Sequence, residues 1–172
     1  MIESKIPFYK YKVFQIAIFV DYLNQELGIK DYYPGRHFEY SIIENYVKGL
    51  GDIKLAKAYA PWFNLKIATD IISKFDINLI DTPIFERNNF KKDMADIKMA
   101  IDIIDTYYKY PEINLFVIIS GDIDFLPAIL RIRQNNTKKV IIISEECSLN
   151  RKYYGKVDKI VTYQRLLKIF RI

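Results

Sequence analysis

Residues 115–127 read Leu-Phe-Val-Ile-Ile-Ser-Gly-Asp-Ile-Asp-Phe-Leu-Pro. Leu115 to Ile119 form a short, wholly apolar, β-branched run, which suits a strand buried on both faces of a helix-covered parallel sheet. Gly121 permits the chain to turn where the strand stops. Asp122 and Asp124 follow, and a helical pattern begins at Phe125, with Leu126, Ile129, Leu130 and Ile132 directed inward. Two carboxylates thus lie at the carboxyl end of a central strand, where open α/β sheets bind ligands. A purely structural reading stands beside this one: Asp124 caps the helix, Pro127 occupies its first turn, and Asp122 caps the turn before it.

A second strand of the same kind runs from Val13 to Val20 and closes on Asp21, with Asn24 three residues on. Asp and Asn also serve ordinary turns by bonding their own backbone. Further strands are expected at Ile53–Tyr59, Ile77–Ile80, Lys139–Ser144 and Lys159–Thr162. Helices are expected at Phe38–Lys48, Leu65–Phe75 and Arg165–Phe170. The alternation predicts an α/β protein with a doubly wound, mostly parallel central sheet flanked by helices, forming one domain over 1–172. Gly28 to His37 reads as a loop, and Ile84 to Lys92 as irregular. A helix over Asp93–Tyr108 is expected to pack Met94, Ile97, Ile101 and Ile104 on the sheet. That leaves Asp93, Asp96, Asp102 and Asp105 off the stripe, with Asp96 one to two turns closer to the helix start than Asp102 and Asp105.

Composition narrows the chemistry. The chain has 172 residues, 51% of them hydrophobic, and a net charge of +5 from 26 Lys plus Arg against 21 Asp plus Glu. A mildly basic balance permits a polyanionic partner. The longest apolar runs are a few residues, far short of a membrane span. Met1 to Tyr11 carries no signal-peptide core, so a soluble, cytoplasmic protein is expected. One cysteine, Cys147, excludes an internal disulfide and a cysteine-based zinc site, and reads as a strand-end packing residue. One histidine, His37, lies in a Gly/Pro/Tyr loop with no Cys or His partner, and any His-based metal site or Ser-His-Asp triad would have to use it, which weighs against both. No Rossmann fingerprint, P-loop or nucleophile elbow occurs.

What remains is carboxylate chemistry. Asp21, Asn24, Asp96, Asp122 and Asp124 all map to one end of the predicted sheet. Carboxylates packed together repel and lose water, and a divalent cation offsets both. Hard oxygen donors select Mg²⁺ or Mn²⁺. Such a centre activates water and stabilises phosphodiester oxyanions without a histidine. Asp21, Asp96, Asp122 and Asp124 are the candidate metal ligands.

The pattern "IFVDYLN", "ADIKMAID", "VIISGDIDFLPAILRIR" and "KKVIII" resembles the NYN family of the PIN-like nuclease superfamily, over residues 13 to 162. The resemblance implies a PIN-like fold and metal-dependent cleavage of RNA. It implies catalytic roles for Asp21, Asn24, Asp96, Asp122 and Asp124, adds Asp102 as a second helical Asp, and puts Ser120 at the same edge. Where the family often has a Lys just before the helical Asp, Lys92 is displaced by one position. Asp102 also lies about 120° around the helix from Asp96. Asn24 and Ser120 are read as orienting ligands or the scissile phosphate, and Lys92, Arg87, Arg36, Arg151 and Lys152 as guiding backbone phosphates. DNA is not excluded as substrate. The alternative is a catalytically silent nucleic-acid-binding or adaptor module on the same fold. An exposed aromatic patch near Tyr32, Tyr33 or Trp62 would support a homodimer.

Overall fold

The computed structural model describes residues 13–82, 84–87 and 90–171, with the side chains of residues 67, 85–87 and 90–93 outside the described set. In chain order the elements are β1 (Phe14–Asp21), α1 (Tyr22–Tyr32), α2 (Tyr40–Lys48), β2 (Gly51–Ala60), α3 (Lys66–Ile72), β3 (Asn78–Asp81), β4 (Ile84–Arg87), β5 (Phe90–Asp93), α4 (Ala95–Lys109), β6 (Leu115–Ile119), α5 (Leu126–Arg133), β7 (Lys139–Ser144), β8 (Lys159–Thr162) and α6 (Tyr163–Phe170). Short 3₁₀ turns occupy Trp62–Asn64, Ile123–Phe125 and Arg151–Tyr153.

Six strands form one parallel sheet in the order β3-β2-β1-β6-β7-β8. From the central β1 the chain winds outward through β2 and β3, then returns to the other side of β1 to build β6, β7 and β8. The winding direction therefore reverses between β1 and β6. In doubly wound sheets the crevice at the carboxyl ends of such a strand pair is the binding position.

The two faces of the sheet sort by the two-residue period of a strand. Ile16, Ile18 and Val20 of β1, with Leu115, Val117 and Ile119 of β6, join the core that includes residues of α1, α2 and α6. Ala17 and Phe19, with Phe116 and Ile118, join the core that includes Ala95, Met99 and Ile103 of α4 and Ile129 and Ile132 of α5. β6 is buried throughout and β1 everywhere but Gln15, which is why Leu115–Ile119 and Ile16–Val20 read as unbroken apolar runs.

Several expectations are corrected. Residues 28–32 are helical rather than loop. The buried face of α1 is Tyr22, Gln25, Glu26 and Ile29, so its period is carried partly by polar residues and escapes a search for apolar ones. Gly28 sits within this helix because a Cβ there would overlap the Ser148 hydroxyl. Ile84–Arg87 and Phe90–Asp93, expected to be irregular and the helix start, pair antiparallel as β4 and β5. On α4 the sheet-facing residues are Ala95, Met99, Asp102, Ile103 and Thr106. Ile97 and Ile101, expected inside, are 44% and 51% exposed. Leu130 of α5 is likewise exposed. Cys147 is exposed rather than packed. Trp62 is buried and donates its indole N–H to the Ala58 carbonyl at 3.0 Å, which removes it from any surface patch.

Candidate metal centre

The register of β1 and β6 pairs Val20 with Ile119. The next residues, Asp21 and Ser120, therefore emerge side by side at the carboxyl rim. The Ser120 hydroxyl donates to Asp21 Oδ2 at 3.1 Å and accepts the Asp122 N–H at 3.1 Å. Asp21 Oδ1 accepts the Asn24 N–H at 3.2 Å and so caps α1. The Asn24 side-chain oxygen accepts the Gly121 N–H at 3.1 Å and an N–H of Gln25 at 2.9 Å. The ends of β1 and β6 and the first turn of α1 are thus tied into one rim. Ser120 is fully buried, so its hydroxyl orients Asp21 and the Asp122 backbone.

Asp122 caps the 3₁₀ turn, its Oδ1 accepting the Asp124 N–H at 2.9 Å. The structural alternative thus holds in part for Asp122, although a carboxylate has two oxygens and capping leaves acceptor capacity. It does not hold for Asp124: no side chain caps α5, and Asp124 projects as an exposed residue of the turn. Asp96 stands in the first turn of α4. Asp96, Asp122 and Asp124 each offer a carboxylate oxygen, all within 4.8 Å of one another. Asp21 is outside this group of three but close enough to feel the charges of Asp96 and Asp122. Burial pushes its carboxyl up to about 7, the charges of Asp96 and Asp122 push the same way, and the bonds from Asn24 and Ser120 pull against them.

Asp102 belongs to a different arrangement. It is buried, accepting from the Tyr59 hydroxyl at 2.8 Å and pairing with Lys57 at 3.2 Å and Lys98 at 3.3 Å. Burial raises its carboxyl, but these three partners together hold it below the usual carboxylate range. Its contacts are structural, joining α4 to β2.

Of the basic candidates, Arg151 and Lys152 are exposed on the 3₁₀ turn after β7. That turn is fastened to the acidic rim: the Asn150 N–H donates to the Gly121 carbonyl at 3.1 Å, and the Tyr153 hydroxyl donates to the Asp122 carbonyl. Arg36 is exposed, its guanidinium 5.8 Å from the Tyr33 ring centroid. The side chains of Arg87 and Lys92 lie outside the described residues.

Gly121, expected as the turn where the strand stops, is also required sterically, because a Cβ there would overlap the Ser148 carbonyl. Two supporting residues escape the sequence reading. Tyr153 is one, fully buried with its hydroxyl on the Asp122 turn. Glu145, fully buried, is the other. Its Oε2 accepts the Cys147 and Ser148 N–H groups at 2.7 and 3.0 Å, and Oε1 takes a bond from Gln164. An acid directly after an apolar strand was the available signal for Glu145, the same one that marks Asp21.

The donor set fits a hard divalent cation. Every group at the cluster is a carboxylate, and neither sulfur nor imidazole takes part among the described residues. The NYN domain family profile matches residues 15–163, and the chain belongs to that family. No curated protein matches the chain. Among solved structures, a protein of unknown function from Vibrio parahaemolyticus RIMD 2210633 is similar in fold, with a TM-score of 0.71 and 23% identity over 88% of this chain and 93% of that one. The six-stranded parallel sheet, covered by helices, is the PIN-like α/β architecture of the family.

Proposed function

We propose that the chain is a metal-dependent ribonuclease, hydrolysing RNA phosphodiester bonds at the carboxyl rim of β1 and β6 with Mg²⁺ or Mn²⁺. The observation that carries this reading is the meeting of Asp96, Asp122 and Asp124 within 4.8 Å, from elements 26 to 28 residues apart in sequence. Such a gathering of like charge is costly without a cation. Membership of the NYN family supports nuclease chemistry for it.

In this reading Asp96, Asp122 and Asp124 hold the cation, and Asp21 binds it directly or through water. A bound divalent ion supplies charge stabilisation to the phosphodiester oxygens and lowers the pKa of a water molecule. The protein's own residues do the remaining work. Ser120 and the Asn24 N–H aim Asp21, the Asn24 side chain fixes the Gly121 turn, and Tyr153 holds the backbone of Asp122. Arg151 and Lys152, on a turn fastened to that rim, engage backbone phosphates of the substrate, with Arg36 as a further contact. A cytoplasmic setting suits a chain whose lone cysteine is exposed.

The test is cleavage of single-stranded RNA, structured RNA and matched DNA with Mn²⁺, with Mg²⁺ and with chelator. Metal-dependent cleavage of RNA that Asp122→Asn abolishes supports the reading. Asp122→Asn should also retain RNA binding, because removing a negative charge reduces repulsion of phosphate. Binding without cleavage by the unaltered chain, under every metal condition, would instead leave a silent binding module on this fold.

A further inference from the structure

Helix α4 is apolar on two sides. One, carrying Ala95, Met99 and Ile103, is spent on the sheet. The other, carrying Ile97, Ile101 and Tyr108 at helical spacing, faces outward with 44%, 51% and 59% of each residue exposed. The outward side opens into a groove of about 510 Å³ between α4 and α5, lined by Ala100, Ile101, Ile104, Asp105, Pro127, Ala128 and Arg131. Leu130, 42% exposed, extends the apolar surface on α5.

The groove carries charge of both signs. Asp105 is on the α4 side and Arg131 on the α5 side, both exposed. Neither has a salt-bridge partner among the described residues. Arg131 is nonetheless held in place. Its guanidinium lies 5.7 Å from the Tyr108 ring centroid, Nε donates to the Tyr108 hydroxyl at 2.9 Å, and Nη1 donates to Gln134 at 2.5 Å. A partner of single charge would satisfy one of the two groups and repel the other. A two-fold contact satisfies both, since the same patch meets itself with Asp105 of each copy opposite Arg131 of the other.

We propose that the α4–α5 face is the self-association surface of this chain: a second copy covers Ile97, Ile101 and the groove, with reciprocal Asp105–Arg131 pairs fixing its register. This places the dimer contact beside the acidic rim, because Asp96 directly precedes Ile97 and Asp124 lies two residues before Leu126. It does not depend on the nuclease reading.

Sedimentation equilibrium of the full chain, with circular dichroism to confirm folding, tests this. The unaltered chain should sediment at twice the 20.4 kDa chain mass. Ile101→Glu should raise the dimer dissociation constant by roughly 30-fold or more, the effect of losing a central interface residue. Asp105→Arg and Arg131→Asp should each weaken the dimer, and the double exchange should restore it. A folded chain that stays monomeric at every attainable concentration overturns the proposal. So does a dimer indifferent to Ile101→Glu, or single charge reversals that the double exchange fails to rescue. Association only with a different protein through this face would also overturn it.

Discussion

Ser120 does two things with one hydroxyl, donating to Asp21 and accepting from the Asp122 backbone. Removing it leaves a buried carboxylate oxygen and a backbone N–H short of partners, a loss of about 1–3 kcal/mol. Groups that orient a metal ligand typically affect metal affinity by about 10- to 100-fold. Ser120→Ala should therefore fold, melt earlier, and bind Mn²⁺ more weakly by that factor in calorimetric titration. Unchanged Mn²⁺ affinity would separate Ser120 from the metal centre. Gly121 is constrained sterically instead. Any side chain there drives into the Ser148 carbonyl, and backbone does not yield as a flexible side chain does. Gly121→Ala should cost about 1–3 kcal/mol in denaturant unfolding, the usual range for overpacking.

At the scale of elements, α1 and the residues after it are organised by Glu26. Its carboxylate accepts the Phe38 N–H at 2.8 Å and meets Lys30 at 2.9 Å and His37 at 2.7 Å, joining the helix to the start of the segment leading into α2. Burial raises this carboxyl, yet the Phe38 N–H, Lys30 and His37 outweigh it and leave Glu26 below its ordinary 4.5. A carboxylate lowered in the folded state stabilises above its unfolded pKa, and the contribution fades as pH falls through the folded value. Glu26→Gln should accordingly lower stability at pH 7 by about 1–3 kcal/mol. Near pH 3 the difference from the unaltered chain should be smaller. Urea unfolding at both pH values measures this, and an equal loss at both would remove the charge from the argument.

Helix α4 shows how far an element can be read in advance. Its existence and its start near Asp96 follow from a helical period. Its rotation does not, because Ala95/Met99/Ile103 and Ile97/Ile101/Ile104 both repeat at helical spacing. Only the shape of the sheet surface chooses between them. The smaller Ala95 and flexible Met99 join the core that holds Phe19 and Phe116, and the branched Ile97 and Ile101 are left outside.

For the whole molecule, the consequence of the acidic rim is linkage between metal and stability. A cation bound only by the folded chain stabilises it by about 2.7 kcal/mol at a concentration 100 times its dissociation constant. For a chain of this size that corresponds to a rise in Tm of roughly 5–11 °C. Thermal melts with and without Mn²⁺ should show that rise, and Asp96→Asn should remove most of it. A melt insensitive to Mn²⁺ would leave the cluster without a resident ion. No helix among the described residues is long and apolar enough to cross a membrane.

The parallel sheet was legible because its central strands are buried on both faces, which shows as unbroken runs such as Leu115–Ile119. The acidic rim was legible because Asp21 and Asp122 follow those runs almost directly, and strand ends map to sheet edges without further information. Tertiary structure alone decided which side chains meet there. It put Asp96 against Asp122 and Asp124, and sent Asp102 to Tyr59 and two lysines. It also turned α4 so that Ile97 and Ile101 face outward, and buried Glu145 and Tyr153 as supports. Patterning is local and reports which face of an element is apolar. Convergence depends on strand register and helix rotation, which are settled only when residues distant in the chain pack against one another.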